Sequence, residues 1–442
     1  MSKVTDDFFK RKKNDWSLVK DDLLENYLKA YMVKLFSSQR PTIYLDCFAG
    51  AGKFGKNDIP YEEKEDGSPL IALKTMCEAS SISKVYPKPP RLACFIEPKY
   101  YEELKTNIRK SEFSHEEFLI YTTPYPDAVQ EFLDFVFTQW KNPNLFCYLD
   151  PYGVKYLEFE AFKQIRNENF GSLEFLINFN SFGFFRYACS VYEIEIREPR
   201  IANDEDVVEL DPLRENGKLN QIERLNSIMG NNQWQEIIQD YKCGKINGYA
   251  SEYKLAEMYK QQLRASLNFR YVLSIPIRFK EPNHPKYRMV YATNHADGAV
   301  IMGDVMYNCQ DYLFEQYSLS TSGSLNLFSR EELYGGPSVE ASIIEYLRGK
   351  GELGGNEFKA GFYTDKCITA HLIEALKTLE KNNRITIRRE PKTTTRHKPS
   401  RFFNESKGKH LYISLNESYS CFRGRTNEQR KNPIRYKGMG SS

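Results

Sequence analysis

Between Trp16 and Phe36 apolar residues recur at Val19, Leu23, Tyr27, Leu28, Tyr31 and Leu35, with polar residues between them. That spacing predicts an amphipathic helix. The pattern then shortens to TIYLD (42–46), an apolar strand ending in Asp46 and followed by a glycine-rich loop. Ser68–Ser83 reads as a helix with Ser68 as cap and Pro69 at the first helical position. From there strands and helices alternate. LACFIE (92–97) is followed by a helix over Pro98–Arg109, and FLIYTT (118–123) by one over Pro126–Trp140. LFCYLD (145–150) precedes a helix around Phe159–Arg166, and LEFLINF (173–179) closes the series. Short apolar strands separated by helices predict an α/β fold, a parallel sheet covered by helices on both faces.

Residues 191–250 are polar and then weakly helical, and read as a helical insertion. A helix over Ser251–Leu267 follows. The runs FRYVLSIPIRF and YRMVYATN predict an antiparallel pair closing the sheet, and Ala296–Tyr317 a last helix. After YGGPS (334–338) the character changes. Helices over Val339–Arg348 and Lys366–Lys381 precede two strands, ITIRRE and HLYISL, which flank a polar, basic stretch. This is the outline of a winged helix-turn-helix; a small α+β accessory domain that binds protein is the other reading. The expected division is residues 1–335, residues 336–416, and a basic, disordered tail over 417–442.

Charge sharpens the last point. From Ala341 to the end there are 21 Lys and Arg against 10 Asp and Glu, a net of +11, whereas the first 340 residues carry −8. A basic piece on a mildly acidic body suggests a nucleic-acid surface, DNA or RNA. Arg384, Arg388, Arg389, Lys392 and Arg396 are its candidate phosphate contacts, and binding should weaken steeply with salt. The chain has nine cysteines and no C-x-x-C pair, and its six histidines are scattered. No metal is expected from such spacing. No apolar run approaches the roughly 18 residues of a membrane span, and the charged N-terminus lacks the apolar stretch of a signal peptide. The expectation is a cytoplasmic protein with no membrane contact.

Residues 48–58, FAGAGKFGKND, carry the chemistry. Gly50, Gly52 and Gly55 fit G-x-G-x-x-G, while Gly50, Gly55 and Lys56 fit G-x-x-x-x-G-K. A P-loop needs Ser or Thr next, to hold magnesium, and here Asn57 follows. A dinucleotide loop should run into a helix, which Pro60 and the absence of apolar periodicity disfavour. The third reading is S-adenosylmethionine, a ligand without phosphate. Asp46 would lie near its methionine end, and Gly50 and Gly52 would let backbone approach. Glu97, at the end of the next strand, would take the ribose hydroxyls. In LDPYG, Asp150 could accept a hydrogen bond from an exocyclic amine, Pro151 would stiffen the turn, Tyr152 could stack on a base, and Gly153 would leave room.

The ordered set YLDCFAGAGKFG, GSPLIAL (67–73), CFIE, YLDPYG and INF (177–179), with the early Trp16 and Lys20, resembles the three-Cys-motif partner (TcmP) family. The resemblance covers roughly Asp15–Tyr317. It implies a Rossmann-like class I methyltransferase fold, S-adenosylmethionine as cofactor and a partner with a three-cysteine, radical-enzyme-like motif, in a bacterial or phage-associated setting. Cofactor contacts would be Asp46, Phe48, Gly50, Gly52, Glu97 and Thr122; Asp150, Pro151, Tyr152 and Gly153 would be catalytic. Here Cys47 and Ala51 replace the family's usual Leu and Pro, and Tyr152 its Phe. Tyr121-Thr122-Thr123 lacks the acid or amide that often meets adenine, leaving that contact to a threonine hydroxyl or backbone. The LDPYG loop, rather than the family, points to methylation of a base amine. The rival readings are a cofactor-binding, non-catalytic partner subunit and a winged-helix nucleic-acid-binding regulator.

Overall fold

The computed structural model describes residues 9–10, 12–13, 15–56, 58–151, 153–154, 156–198, 217–278, 285–322, 338–362, 367–393 and 397–416. They belong to two compact units, Met1–Gly336 with Lys359–Thr369, and Pro337–Phe358 with Ala370–Ser442.

The first unit begins with α1 (Asp15–Phe36) and β1 (Thr42–Asp46), followed by a small hairpin of β2 (Lys53–Phe54) and β3 (Glu65–Asp66). Then come α2 (Ser68–Ile82), β4 (Arg91–Ile96), α3 (Tyr101–Lys110), β5 (Phe118–Tyr121), α4 (Ala128–Gln139), β6 (Asn144–Leu149), α5 (Phe159–Arg166) and β7 (Ser172–Phe179). The chain continues through α6 (Ser181–Val191), α7 (Lys218–Met229), α8 (Trp234–Lys242), α9 (Gly248–Leu267), β8 (Tyr271–Ile277), β9 (Tyr287–Thr293) and α10 (Ala296–Ser322). One seven-stranded sheet has the order β5-β4-β1-β6-β7-β9-β8. Its first five strands are parallel, and β9 runs antiparallel to both neighbours, as the two β-rich runs predicted.

Side chains alternate across each strand, so a strand buried on both faces feeds two cores. Ile43 and Leu45 enter one with α4–α9, while Tyr44 enters the other with α1, α2, α3 and α10. The insertion is part of this packing: Leu225 and Ile228 of α7 and Trp234 and Ile238 of α8 are buried in the first core.

Several boundaries differ from the sequence reading, for physical reasons. α3 starts at Tyr101 rather than Pro98, because the Glu97 carboxylate captures the amides of Lys99 and Tyr100. α9 starts at Gly248, where the Asn247 side chain accepts from the Ala250 amide. α6 escaped notice because it is buried around most of its circumference and has no polar stripe; its cap, Asn180 accepting from the Gly183 amide, is the local signal. The β2–β3 hairpin has strands of two residues, too short to show a period.

A buried acid lies under the sheet. Glu174 of β7 accepts from the Tyr27 hydroxyl at 2.6 Å and from Thr293 at 3.2 Å. Gly298 of α10 has to be small, since a Cβ there would stand 2.7 Å from the Tyr291 hydroxyl and 2.9 Å from Glu174 Oε1. Burial pushes the Glu174 carboxyl up to about 7, against the tyrosine and threonine hydroxyls that pull it down. An acid raised on folding keeps its proton longer in the folded chain than in the unfolded one. Its contribution is therefore most favourable below about pH 4.5 and declines as pH rises toward 7, by ~3 kcal/mol in all. In urea unfolding, Glu174→Gln should lose clearly less stability than wild type between pH 5 and 8; parallel slopes would place the dependence elsewhere.

The second unit contains α11 (Val339–Leu347), β10 (Leu353–Gly354), the start of α12 (Gly355–Phe362), most of α13 (Thr369–Lys381), β11 (Ile385–Glu390) and β12 (His410–Leu415). Its antiparallel sheet has the order β10-β12-β11. Both long strands match the sequence reading. α13 starts three residues later than Lys366, and α12, rich in glycine, was not foreseen. The tail over 417–442 lies outside the described residues.

Candidate active site at the carboxyl edge of the sheet

The strand order reverses at β1: β4 and β5 lie to one side, β6 and β7 to the other. Open parallel sheets take ligands outside the carboxyl ends of strands at such a reversal. Three of the predicted acids stand there, Asp46 ending β1, Glu97 directly after β4 and Asp150 directly after β6.

Gly50 and Gly52 have φ of +63° and +78°, where a side chain is strained. The loop they form enters the β2–β3 hairpin, and the next α-helix begins only at Ser68. A phosphate-binding loop that opens a helix is therefore not what these glycines build. Asp46 is fully buried beneath them. Its Oδ1 accepts from the Phe48 amide at 3.0 Å, and its Oδ2 from the Ser68 hydroxyl at 2.6 Å and the Tyr44 hydroxyl at 3.3 Å. Burial pushes this carboxyl up to about 7, the Ser68 and Phe48 hydrogen bonds pull it back, and the Asp150 charge adds to the rise. Asp46 thus orders the loop from below rather than facing open space.

Glu97 ties the loop to the next helix. Its Oε2 accepts from the Gly50 amide and its Oε1 from the amides of Lys99 and Tyr100, each at 2.8 Å. Carboxylate oxygens have two lone pairs each, so Glu97 keeps acceptor capacity. Above the loop lies an aromatic ring. A Cβ on Gly50 would stand 2.5 Å from Phe9 Cζ, and Phe9 packs 5.0 Å from Phe54 and 4.8 Å from Tyr100, centroid to centroid. The Gly55 amide donates to the Phe9 carbonyl at 2.9 Å. Phe48 packs 5.1 Å from Tyr125 and 5.9 Å from Tyr156. Thr122 is exposed just past β5, while the Thr123 hydroxyl is committed to Glu131 at 2.7 Å.

Asp150 is enclosed by residues the sequence reading did not assign to the site. Lys20 of α1 donates to both its oxygens, at 2.9 and 2.6 Å, and Asn178 of β7 donates Nδ2 to Oδ1 at 2.6 Å. The Tyr148 hydroxyl reaches Oδ2 at 3.3 Å, and the Tyr287 ring lies 5.1 Å from the Lys20 ammonium. With Nδ2 committed to the carboxylate, Asn178 Oδ1 is a buried acceptor that receives no hydrogen bond among the described residues. Both residues had appeared in the quoted resemblance, in the Trp16–Lys20 spacing and in INF; that was their only signal. Pro151 is buried, and Gly153 has φ +80° with nothing within 4 Å of where a Cβ would point. Tyr152 and the side chain of Trp16 lie outside the described residues.

The second unit disposes its basic residues unevenly. Arg388 forks onto Glu352 at 3.0 and 2.6 Å and also meets Glu390, and Arg389 forks onto Glu380 at 2.7 and 2.9 Å. Two of the five predicted phosphate contacts, Arg388 and Arg389, are thus engaged in ion pairs within the unit. Arg384 is half-buried, Lys392 is exposed, and Arg396 lies outside the described residues. The connection between β11 and β12 also exposes Arg401, Lys407 and Lys409, which the sequence reading had not singled out.

No helix of the described residues is long and apolar enough to cross a membrane. No family model matches the chain, and no curated protein does. Among solved structures, protein LPL1258 from Legionella pneumophila str. Philadelphia 1, of family DUF519, aligns at 14% identity over 37% of this chain and 68% of its own, with a TM-score of 0.23. A loganic acid methyltransferase with SAH aligns at 11% identity over 73% of this chain and 94% of its own, with a TM-score of 0.27. Likenesses this weak carry no argument about this chain, whose reading rests on its own residues.

Proposed function

We propose that this chain is an S-adenosylmethionine-dependent methyltransferase acting on an exocyclic amine of a nucleic-acid base, in keeping with its resemblance to three-Cys-motif partner proteins. The observation that carries the reading is the pairing of Asp150 with Asn178 at the ends of adjacent strands, beside the glycine loop. A carboxylate and an amide oxygen without a donor are complementary to an amino group, which has two hydrogens to give. S-adenosylmethionine would supply an electrophilic methyl group. Glu97 and the amide-lined loop from Phe48 to Gly52 would hold it, with Asp46 fixing that loop. Asp150 would orient the amine, draw its lone pair out of conjugation and accept the proton released. Lys20, donating to both oxygens, holds the Asp150 carboxylate in place at the strand end. The exposed lysines and arginine between β11 and β12 would contact phosphates, in place of Arg388 and Arg389; the order helix, strand, two helices, then two strands is compatible with a winged helix.

A second reading has an observation of its own. Because Lys20 donates to both Asp150 oxygens, and Asn178 and the Tyr148 hydroxyl each add a second donor, a substrate amine has to displace one of them to reach the acid. The chain would then be a cofactor-binding subunit that turns over only with a three-Cys-motif partner.

Calorimetric titration with S-adenosylmethionine tests the cofactor, followed by transfer of labelled methyl groups to DNA and RNA. Glu97→Ala should weaken binding roughly 10- to 100-fold, the worth of charge-assisted hydrogen bonds. Folded wild type that binds no S-adenosylmethionine would remove both readings. Binding without transfer would leave only the second.

A further inference from the structure

A second cluster lies at the opposite edge of the same sheet. Arg91 opens β4, and His115 and Glu116 precede β5, so these residues mark the amino edge, far along the strands from Glu97 and Asp150. Cys77 of α2 faces them. The Cys77 Sγ is 3.7 Å from His115 Nε2, and that nitrogen is 3.4 Å from Glu116 Oε1. All three donor atoms lie within 4.8 Å of one another.

These separations have a specific meaning. With zinc bonds of about 2.3 Å to sulfur and about 2.0–2.2 Å to nitrogen or oxygen, a tetrahedral site has S···N and N···O edges of roughly 3.6 and 3.4 Å. The imidazole is also preset. Its Nδ1 lies 3.1 Å from the Glu112 carbonyl, which can only accept, so Nδ1 is the nitrogen set to donate and Nε2 is the one that faces the thiol and the carboxylate. A backbone carbonyl on the far nitrogen is the usual support of a metal-bound histidine. Glu116 is anchored in turn: Arg91 donates to its Oε2 at 2.6 Å and its Oε1 at 2.8 Å. That fork uses one lone pair of each oxygen and leaves another on Oε1. The Glu116 side chain is 1% exposed and that of His115 61%, so the cluster has a built floor and an open side.

We propose that Cys77, His115 and Glu116 bind a divalent ion of the zinc class, through the thiolate, Nε2 and Oε1, with water in the fourth position. The thiol proton leaves to solvent on coordination. The ion clips α2 to the α3–β5 connection, at a place unrelated to the carboxyl-edge site. The sequence could not show it, because Cys77 and His115 are 38 residues apart and match no ligand spacing.

The test is titration of the full chain with Co²⁺, read by the visible bands of tetrahedral cobalt and by thiolate-to-cobalt charge transfer. One equivalent should saturate both signals, and Zn²⁺ should displace it. Cys77→Ser should abolish the charge-transfer band, and His115→Ala, at an exposed position, should weaken binding by roughly 100-fold or more, beyond what loss of an outer partner costs. Cys243→Ser, removing an exposed thiol elsewhere, should change nothing. No charge-transfer band in wild type, or a band that survives Cys77→Ser or His115→Ala unweakened, would overturn the proposal. Should Cys77→Ser fail to fold by circular dichroism, the His115 variant alone decides.

Discussion

Asp150→Ala is expected to lower methyl transfer by roughly 10²- to 10⁴-fold, the range for removing a positioned proton acceptor, while S-adenosylmethionine binds as in wild type. The separation of the two effects follows from the geometry. The hydrogen bonds that order the glycine loop come from Asp46 and Glu97, whereas Asp150 faces Lys20 and Asn178. The variant also strands the Lys20 ammonium. Breaking a buried pair costs about 3–5 kcal/mol, but these side chains are 15% and 23% exposed, so about 1–2 kcal/mol is the discounted expectation. Combining Asp150→Ala with Lys20→Met should restore most of that stability and none of the turnover. Turnover that persists in Asp150→Ala would remove the residue from the chemistry.

The second large effect concerns the far side of the sheet. Arg288 of β9 donates to Glu252 of α9 at 2.6 and 2.9 Å, with side chains only 7% and 3% exposed, and the Ser181 hydroxyl at the start of α6 meets the same carboxylate. Arg288→Ala leaves a carboxylate buried without its cation, and should destabilise the chain by about 3–5 kcal/mol in urea unfolding. Replacing both partners with methionine should recover most of the loss, since a well-packed apolar pair avoids the desolvation cost altogether. A loss below about 1 kcal/mol in the single variant would mean that water reaches the carboxylate when the arginine is gone.

Much of the architecture was legible because apolar runs and alternation mark strands. TIYLD, buried throughout, coincides with β1, the partly exposed ITIRRE and HLYISL coincide with β11 and β12, and the acids that end or follow β1, β4 and β6 could be placed at one edge from order alone. What was illegible is pairing across the chain. Lys20 looks like a solvated residue on the polar side of a helix, yet its partner is 130 residues away. Arg388 and Arg389 read as free cations, yet Glu352 and Glu380, 36 and 9 residues distant, pair with them. A one-dimensional count of charge cannot tell a paired arginine from an unpaired one. Asp46 is a subtler case: its position was foreseen, but not that its oxygens would turn inward to the loop's own amide and to Ser68.

The Phe9 ring over Gly50 bears on how fast, as well as how tightly, anything binds. There is no room there even for a methyl group, so a ligand that packs on the Gly50 Cα competes with the ring for the same space. The competent population is the fraction with Phe9 displaced, and the apparent affinity is reduced by that fraction. If displacement precedes binding, the observed association rate will level off at high ligand concentration, at the rate at which the ring departs. Phe9→Ala would then raise that plateau and tighten binding together, although no contact to the ligand had been added.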